Sequence, residues 1–351
     1  MFQIQYIQYR KSPFWDLPRL SRTVGTFGRF RWSFLLLTLF FCFSSITSQT
    51  VLIEGIPRDT SYTLYSAAVK LRKNYPDARL VIPSVPPDII SYENIIYKTL
   101  PVTPYGKREL KLNIYRQLKP RKLPVVLMIH GGGWSSGSPR MQQSLAVSLS
   151  RQGFATVVAE YRLSPEAIYP AAVDDLSDAV LWIYKHAREY GFDRKRIAVE
   201  GCSAGGQLAA LLGTKNKDRL IRAVVNIDGI STFMDQTTIE RAEQFREKGG
   251  KMPADMQWLG GTRAEKPDAW KDASAVYFVN KFSAPVCFIN SSIPRFHNGR
   301  DEHIRLLKKF NIYAEVHTFE DSPHTFWLFE PWHQPTVEYT SAFLKKVFEI
   351  K

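Results

Sequence analysis

Apolar and amphipathic stretches alternate along the chain from about residue 90 to the C-terminus. Short apolar runs such as LPVVLMIH, typical of strands buried on both faces, are separated by stretches with a helical period. The runs predicted as strands are residues 93–100, 109–118, 123–130, 155–163, 196–201, 223–228, 285–290 and 313–319. The predicted helices lie near residues 139–152, 171–190, 204–213, 301–310 and 335–349. This alternation predicts an α/β fold with a mostly parallel eight-stranded sheet and helices on both faces.

The same pattern divides the chain into parts. Residues 91–351 are predicted as one α/β domain, preceded by a lead-in over residues 51–90 that is punctuated by proline. Within the domain, residues 231–280 are irregular and partly helical. That segment is too long for an ordinary loop, so we expect a small cap insertion over a site.

Residues 1–50 have the layout of an export signal with an upstream extension. Arg29 and Arg31 precede an apolar run over residues 32–43, and small polar residues follow. This run is shorter than the roughly 20 residues that a membrane-spanning helix needs. We therefore expect a cleaved signal, an exported periplasmic or extracellular protein and no stable membrane span afterwards; an uncleaved N-terminal anchor is the alternative.

Charge and cysteine content narrow the possible partners. The formal net charge is +14, from 47 basic and 33 acidic residues, which allows binding to acidic polysaccharides or reflects a merely solvated surface. Nucleic acid is not expected, because no basic run is interleaved with aromatic residues. Of the three cysteines, Cys202 and Cys287 lie in apolar strand contexts and are predicted as buried free thiols. Neither has metal-ligand spacing, and we expect no metal and no cofactor.

A serine turn follows the predicted strand 196–201. The stretch EGCSAGG contains G-x-S-x-G, in which two glycines allow a tight strand–turn–helix connection that exposes the hydroxyl of Ser203. The following helix N-terminus favours developing negative charge. Ser203 is therefore a candidate nucleophile.

A glycine run follows the strand 123–130 in the sequence HGGGW. Glycines at this point leave backbone N–H groups open to a cleft. With the N–H of Ala204, those of Gly132 and Gly133 are expected to stabilise a tetrahedral oxyanion, each donor contributing roughly 3 kcal/mol. A purely structural turn is the alternative.

These motifs together resemble the α/β-hydrolase superfamily, in its hormone-sensitive-lipase-like and carbohydrate-esterase branch. The resemblance covers about residue 90 to the C-terminus and rests on HGGGW, YRLSPE, YPAAVDD, GCSAGG and PHTF. It implies a serine esterase whose catalytic domain is residues 91–351. It also implies Ser203 as nucleophile, His324 as base, the three N–H groups above as oxyanion hole, and structural roles for Glu166 and Asp174.

The choice of His324 also follows from its position. It lies shortly after the last predicted strand, where a loop at the carboxyl edge of the sheet can reach the serine. The other histidines after residue 90 fall in a strand, a helix, the glycine motif, the arginine-containing loop near 297 or a more distant loop.

The acid of the triad is absent from its usual place after the strand 285–290, where Ser291, Ser292, Ile293 and Pro294 follow. Asp228, at the end of the preceding strand, lies at the same edge of the sheet and keeps the chain order of serine, acid and histidine. We rank Asp228 first, Asp301 second and Asp321 third. An Asp–Gly pair that merely caps a turn is the alternative.

The loop that lacks the acid carries Arg295, His297 and Arg300, and Trp327 follows His324. Arginine suits recognition of carboxylates, and aromatic rings suit sugars. These residues are candidate substrate-binding groups, and the segment resembles bacterial α/β-hydrolase pectin methylesterases. Loop-holding ion pairs are the alternative.

The sequence therefore predicts an exported esterase with a Ser-His-Asp triad, acting on a polysaccharide or oligosaccharide ester and demethylating pectin. A polysaccharide or xylan acetylesterase is one alternative. An inactive carbohydrate-binding protein on the same fold is an alternative from another class.

Overall fold

The structure, a computed structural model, describes residues 50–119, 122–248 and 252–350. The predicted signal therefore lies outside the described residues. Within those residues, we find no helix that combines the length and apolar character required to cross a membrane. The described residues belong to one unit, Thr47–Lys351.

The strands and helices follow the predicted alternation. The strands are β1 (Thr50–Ile53), β2 (Ile56–Asp59), β3 (Arg79–Leu80), β4 (Ile89–Leu100), β5 (Arg108–Gln117), β6 (Leu123–Ile129), β7 (Ala155–Ala159), β8 (Phe192–Cys202), β9 (Ile221–Ile227), β10 (Val286–Asn290), β11 (Ala314–Thr318) and β12 (Phe329–Glu330). The helices are α1 (Leu64–Arg72), α2 (Gln143–Arg151), α3 (Ala171–Lys185), α4 (Ala187–Tyr190), α5 (Ala204–Lys215), α6 (Gln236–Lys248), α7 (Ala254–Leu259), α8 (Pro267–Asp272), α9 (Arg300–Lys308) and α10 (His333–Val347).

Eight of these strands form the central sheet, in the order β11-β10-β9-β8-β6-β7-β5-β4. Every pair from β11 to β7 is parallel, whereas β5 pairs antiparallel with both β7 and β4. The predicted α/β-hydrolase fold, with a mostly parallel eight-stranded sheet, is confirmed. The carboxyl ends of the parallel strands meet at one edge, where the candidate residues follow β6, β8, β9, β10 and β11.

Buried side chains cover both faces of the sheet. One cluster joins the sheet to α3, α5 and the helices between β9 and β10. The other joins it to α1, α2 and α10. The strand β6 is buried at all seven positions, as its continuous apolar sequence requires. The site is therefore held at the edge of a sheet that is packed on both sides.

The lead-in and the insertion both attach to this core. In the lead-in, β1 and β2 form a hairpin, and β3 pairs antiparallel with β12 near the C-terminus. The predicted insertion contains α6, α7, α8 and a 3₁₀ turn over Ala275–Phe278. A Cβ at Gly133 would lie 3.3 Å from the Cβ of Ala254, so the start of α7 borders the glycine motif.

Candidate active site

Ser203 occupies the sharp turn between β8 and α5. Its φ of 56° and ψ of −119° lie in a region that residues with a side chain rarely adopt. Both glycines of the motif are required sterically: a Cβ at Gly201 would lie 2.1 Å from the oxygen of Gly205, and one at Gly205 would lie 2.1 Å from the oxygen of Ile129. The turn therefore depends on close backbone contacts that only glycine permits.

The glycine motif after β6 lies directly against this turn. A Cβ at Gly131 would be 3.0 Å from the Cβ of Ser203. Gly132 and Gly133 have φ of 122° and 59°, and the oxygen of Gly132 accepts hydrogen bonds from the turn that follows. Among the described residues, the N–H groups of Gly132, Gly133 and Ala204 have no hydrogen-bond acceptor in the chain. They are thus free to donate to a ligand oxygen.

His324 lies in the loop after β11 and connects two other candidate residues. Its Nε2 is 2.8 Å from Ser203 Oγ, and its Nδ1 is 2.9 Å from Asp228 Oδ2. An ionised carboxylate can only accept, so Nδ1–H donates to Asp228 and Nε2 accepts from the serine hydroxyl when the ring is neutral. This arrangement leaves the serine hydroxyl next to a base that can take its proton.

Asp228, directly after β9, is completely enclosed. Its side chain has 0% exposure. Oδ1 accepts a hydrogen bond of 2.7 Å from the backbone N–H of Ser291 and one of 3.4 Å from the side-chain amide of Asn290. The carboxylate is therefore oriented from one side by the end of β10 and from the other by His324.

The two other candidate acids have different partners. Asp301 is exposed in the first turn of α9 and accepts from Arg300 at 2.8 Å. Asp321 accepts from the hydroxyl of Tyr75 at 2.9 Å. Of the three ranked carboxylates, the structure brings Asp228 into contact with His324.

The loop after β10 supports the histidine without providing an acid. Phe296, in the 3₁₀ turn Pro294–His297, stacks on the His324 ring with a centroid distance of 3.4 Å and an angle of 5°. Trp327 packs edge-on against the same ring at 5.3 Å. In the place of the missing carboxylate, the loop thus supplies the N–H of Ser291 to Asp228 and the ring of Phe296 to His324.

Sequence reasoning missed these two supporting contacts. A backbone N–H leaves no mark on residue identity, so the role of Ser291 could not be found from its type. Phe296 stands between Arg295 and His297, and its residue type alone does not indicate a contact with His324. The useful signal was the position of the loop after β10: the ends of β9 and β10 lie side by side in a parallel sheet, so this loop is expected beside Asp228.

The surroundings of His324 favour its neutral form. Burial lowers the pKa of His324, while the hydrogen bond and charge of Asp228 raise it and the charges of Arg295 and Lys70 lower it again. The net direction is downward from the ordinary histidine value. A neutral imidazole can act as a general base, so this shift favours proton acceptance from Ser203.

The four predicted substrate-binding residues differ in their environments. Arg295 is exposed, its guanidinium lies 4.5 Å from the centre of the Phe296 ring, and it has no hydrogen-bond or ion-pair partner among the described residues. The prediction of Trp327 as a sugar platform is wrong, because this side chain is only 1% exposed and packs in the core beside His324. Arg295 therefore remains available to a ligand, whereas Trp327 does not.

His297 and Arg300 have partners within the loop. His297 Nε2 lies 2.8 Å from the carbonyl oxygen of Ser291. Arg300 donates to Asn290 Oδ1 at 3.1 Å and to Asp301 at 2.8 Å. Both side chains thus help to hold the loop that supports Asp228, in line with the loop-holding alternative, and their contact with substrate stays a prediction.

The two residues expected to be structural also differ. Glu166 is buried and accepts from Arg108 at 2.9 Å. Asp174 is exposed, and its neighbour Asp175 is the buried carboxylate that pairs with Arg162 and Lys98. The structural role therefore lies one position further along the helix than expected.

Potential metal ligands gather elsewhere. Among the described residues, one group of three metal-ligating side chains has its ligand atoms close enough to bind an ion: Cys287, Glu315 and His317, on β10 and β11. Cys202 and Cys287 are both buried and free. The chemistry available at Ser203 is therefore that of a hydroxyl, an imidazole, a carboxylate and three N–H donors.

Curated relatives and solved structures have esterase names. The chain is 30% identical to Esterase LipC of Mycobacterium tuberculosis over 198 residues, covering 52% of this chain and 47% of the relative. It is 35% identical to an arylesterase of Saccharolobus solfataricus over 144 residues, covering 37% of this chain and 47% of the relative. The chain spans about half the length of these relatives.

Two solved structures share the fold at low sequence identity. One, described as a truncated form of carbohydrate esterase from gut microbiota, superposes with a TM-score of 0.62 at 18% identity, covering 76% of this chain and 98% of that one. A hyperthermophilic esterase from the archaeon Pyrobaculum calidifontis superposes with a TM-score of 0.61 at 21% identity, covering 82% and 90%.

A family-level match covers the core of the sheet. Residues 112–293, more than half of the chain, match the BD-FAE family, and this stretch contains the glycine motif, Ser203 and Asp228. This protein therefore belongs to the BD-FAE family and has the α/β-hydrolase fold.

Proposed function

We propose that this protein is a carboxylic ester hydrolase that works through an acyl-enzyme on Ser203. The observation that carries the proposal is the continuous hydrogen-bond chain from Ser203 through His324 to Asp228. Beside this chain lie three N–H groups that have no acceptor within the described part of the protein. The esterase names of the relatives agree with this chemistry.

In the proposed reaction, Ser203 Oγ attacks the ester carbonyl carbon while its proton moves to His324 Nε2. The negative charge on the former carbonyl oxygen is stabilised by the N–H groups of Gly132, Gly133 and Ala204. Asp228 stabilises the imidazolium, which then gives its proton to the leaving alcohol. Water, deprotonated by His324, attacks the acyl group, and Ser203 recovers its proton as the acid leaves.

The test uses p-nitrophenyl acetate and a fluorophosphonate probe. Ser203→Ala and His324→Ala should each lower kcat by several orders of magnitude, on the order of 10⁶-fold when a triad acts as a unit. The probe should label the wild type but not Ser203→Ala. Ser292→Ala, which changes an exposed serine in the loop after β10, is the matched control and should retain activity. An unlabelled wild type without turnover would favour the inactive carbohydrate-binding alternative.

For the substrate, we propose a uronate methyl ester within an acidic polysaccharide such as pectin. The observation in favour is Arg295, an exposed guanidinium on the ring that covers His324, without a partner among the described residues. The charge of Lys70 acts on His324, and that of Arg241, which is ion-paired with Asp255, acts on Arg295. A carboxylate next to the ester would meet this positive charge.

A polysaccharide acetylesterase is the second candidate, because a neutral acetylated sugar can use the same triad. The two candidates are separated by measuring methanol release from partly methylated pectin and acetate release from acetylated xylan. We expect the methanol reaction to be the faster one. Acetate release without methanol release would support the acetylesterase.

Two arginine variants then test the reason for that preference. Arg295→Gln should slow the pectin reaction roughly ten- to a hundred-fold, as expected for a charge-assisted pair of about 1.5–3 kcal/mol. At a pH above the acid limb of the activity profile, it should leave p-nitrophenyl acetate turnover nearly unchanged. Arg300→Gln should slow both reactions in parallel, because Arg300 holds Asn290 beside the triad acid. Equal losses on both substrates for Arg295→Gln would contradict the acidic-substrate proposal.

We also propose that the protein is exported and that its first segment is removed. This rests on the basic, apolar and small-polar order of residues 29–49, which lie outside the described residues. N-terminal sequencing of the exported protein should find a start near residues 47–51. A membrane-associated product that retains residues 32–43 would support the anchor.

A further inference from the structure

A thiol, a carboxylate and an imidazole meet on the outer part of the sheet, where β10 pairs with the edge strand β11. Cys287 lies opposite Glu315 in the parallel register, and His317 follows two positions later on the same face. Cys287 is buried, and the other two side chains are partly exposed. Strand pairing thus brings together residues that are 28 and 30 positions apart in sequence, which sequence spacing could not show.

The three ligand atoms have separations suited to a small metal ion. All lie within 4.8 Å of one another, and His317 Nε2 is 3.1 Å from Glu315 Oε1. Two oxygen or nitrogen ligands of tetrahedral zinc, each at about 2.0–2.1 Å, lie roughly 3.3 Å apart, and a sulfur at about 2.3 Å lies roughly 3.6 Å from them. An ion could therefore bind with small side-chain shifts.

The neighbouring side chains orient these ligands. The hydroxyl of Tyr313 donates to the second oxygen of Glu315, and Lys346 from α10 lies beside that hydroxyl. The His317 ring stacks on Tyr339 at 4.1 Å with an angle of 9°. Such outer contacts fix carboxylate and imidazole ligands in known metal sites.

We propose that Cys287, Glu315 and His317 form a binding site for zinc, with a water molecule as fourth ligand. Thiolate, imidazole and carboxylate are the ligand types that zinc uses, and thiolate disfavours magnesium and calcium. Binding replaces the thiol proton of Cys287 by the Zn–S bond, and that proton is released to solvent. The bound ion would join β11 to β10 and so stabilise the strand that leads into the loop carrying His324.

The test is a titration of the metal-free, reduced full-length protein with Co²⁺, whose absorption reports its ligands. We expect one equivalent to produce a thiolate-to-cobalt charge-transfer band and visible bands of tetrahedral cobalt, both displaced by Zn²⁺. We also expect Zn²⁺ to raise Tm and EDTA to reverse the rise, as for any ligand that binds the folded state. Absence of the charge-transfer band in the wild type would overturn the proposal without any variant.

Variants then locate the site. Cys287→Ser should remove the charge-transfer band, and His317→Ala should remove the bands of tetrahedral cobalt. Tyr313→Phe should weaken Co²⁺ binding roughly 10–100-fold, because the hydroxyl that contacts Glu315 is lost. Cys202→Ser is the matched control, since Cys202 is also a buried thiol next to a glutamate, Glu200, but is not part of a three-ligand cluster within the described residues. Bands that persist in Cys287→Ser, or vanish in Cys202→Ser, would overturn the assignment.

Discussion

Ser203 is held in a backbone conformation that costs on the order of 1–3 kcal/mol for a residue with a side chain. The surrounding contacts offset that cost, because the turn is enclosed by the backbone of Ile129, Gly131 and Gly205. The backbone of Ser203 is thereby fixed where its hydroxyl reaches His324 Nε2. At the scale of single residues, close packing of the backbone fixes the turn that carries Ser203.

Asp228, the proposed triad acid, is the residue whose replacement is most informative. Asp228→Asn keeps the shape but removes the charge and reverses the hydrogen-bond preference of His324 Nδ1, so kcat for p-nitrophenyl acetate should fall by roughly 10⁴-fold. Asp301→Asn, which alters an exposed carboxylate paired with Arg300, should change kcat by less than about tenfold, as expected for a group outside the triad. The reverse ranking of the two variants would place the acid in the arginine loop.

The pH dependence of kcat/KM follows from the lowered pKa of His324. Only the neutral ring accepts a proton, so activity should rise with pH through this pKa and the acid limb should lie below the ordinary histidine range. Arg295→Gln removes a positive charge that lowers this pKa, so the acid limb should move to higher pH. Arg305→Gln, on the exposed face of α9, should leave it in place. A shift to lower pH in Arg295→Gln would contradict this electrostatic account.

At the scale of elements, the junction of β8 and α5 is the tightest connection of the site. Gly201→Ala would place a methyl group 2.1 Å from a backbone oxygen, so the turn must open. We expect a loss of about 1–3 kcal/mol in the free energy of unfolding, together with a large loss of kcat. Both are measured by urea unfolding and by p-nitrophenyl acetate turnover.

The matched control for this substitution is Gly106→Ala. Gly106 also lies in a turn, with φ of 86°, but a Cβ there meets nothing within 4 Å. Its replacement should cost about 1 kcal/mol for the left-handed backbone and leave kcat unchanged. Equal effects of both substitutions on turnover would show that the contacts of Gly201 do not position Ser203.

The elements differ in how far they could be predicted from the sequence. The buried parallel strands and the two glycine motifs have local signatures, and the sheet, Ser203 and the free N–H groups follow from them. The helix predicted over residues 171–190 is interrupted at His186, and the burial of Trp327 was not foreseen. The environment of Trp327 depends on how the loop after β11 folds against the core, which the local sequence does not determine.

At the scale of the whole molecule, a buried carboxyl group links stability to pH. Glu200, in the middle of the sheet, has no exposed surface, and burial raises its pKa to about 8. One of its oxygens has no hydrogen-bond partner among the described residues. Between its ordinary pKa and about 8 the unfolded chain is ionised here while the folded protein is not, so this group makes the fold less stable as pH rises through that window.

Glu200→Gln should remove this contribution. Relative to the wild type, the free energy of unfolding of Glu200→Gln should increase from pH 5 to pH 8, by no more than about 1.4 kcal/mol per pH unit. Urea unfolding at several pH values gives the slope. Glu247→Gln, at an exposed position on α6, serves as control and should show no such trend. A pH-independent difference for Glu200→Gln would mean that Glu200 is ionised in the folded protein.

The backbone contact between Ser291 and Asp228 has a consequence for how this site tolerates evolutionary drift. The group that orients Asp228 is a backbone N–H, which every residue type except proline has, whereas the enclosed position of Ser291 limits the size of its side chain. Small residues can therefore replace one another at position 291 while the contact with Asp228 persists, so the identity of the side chain there does not report the role of its N–H.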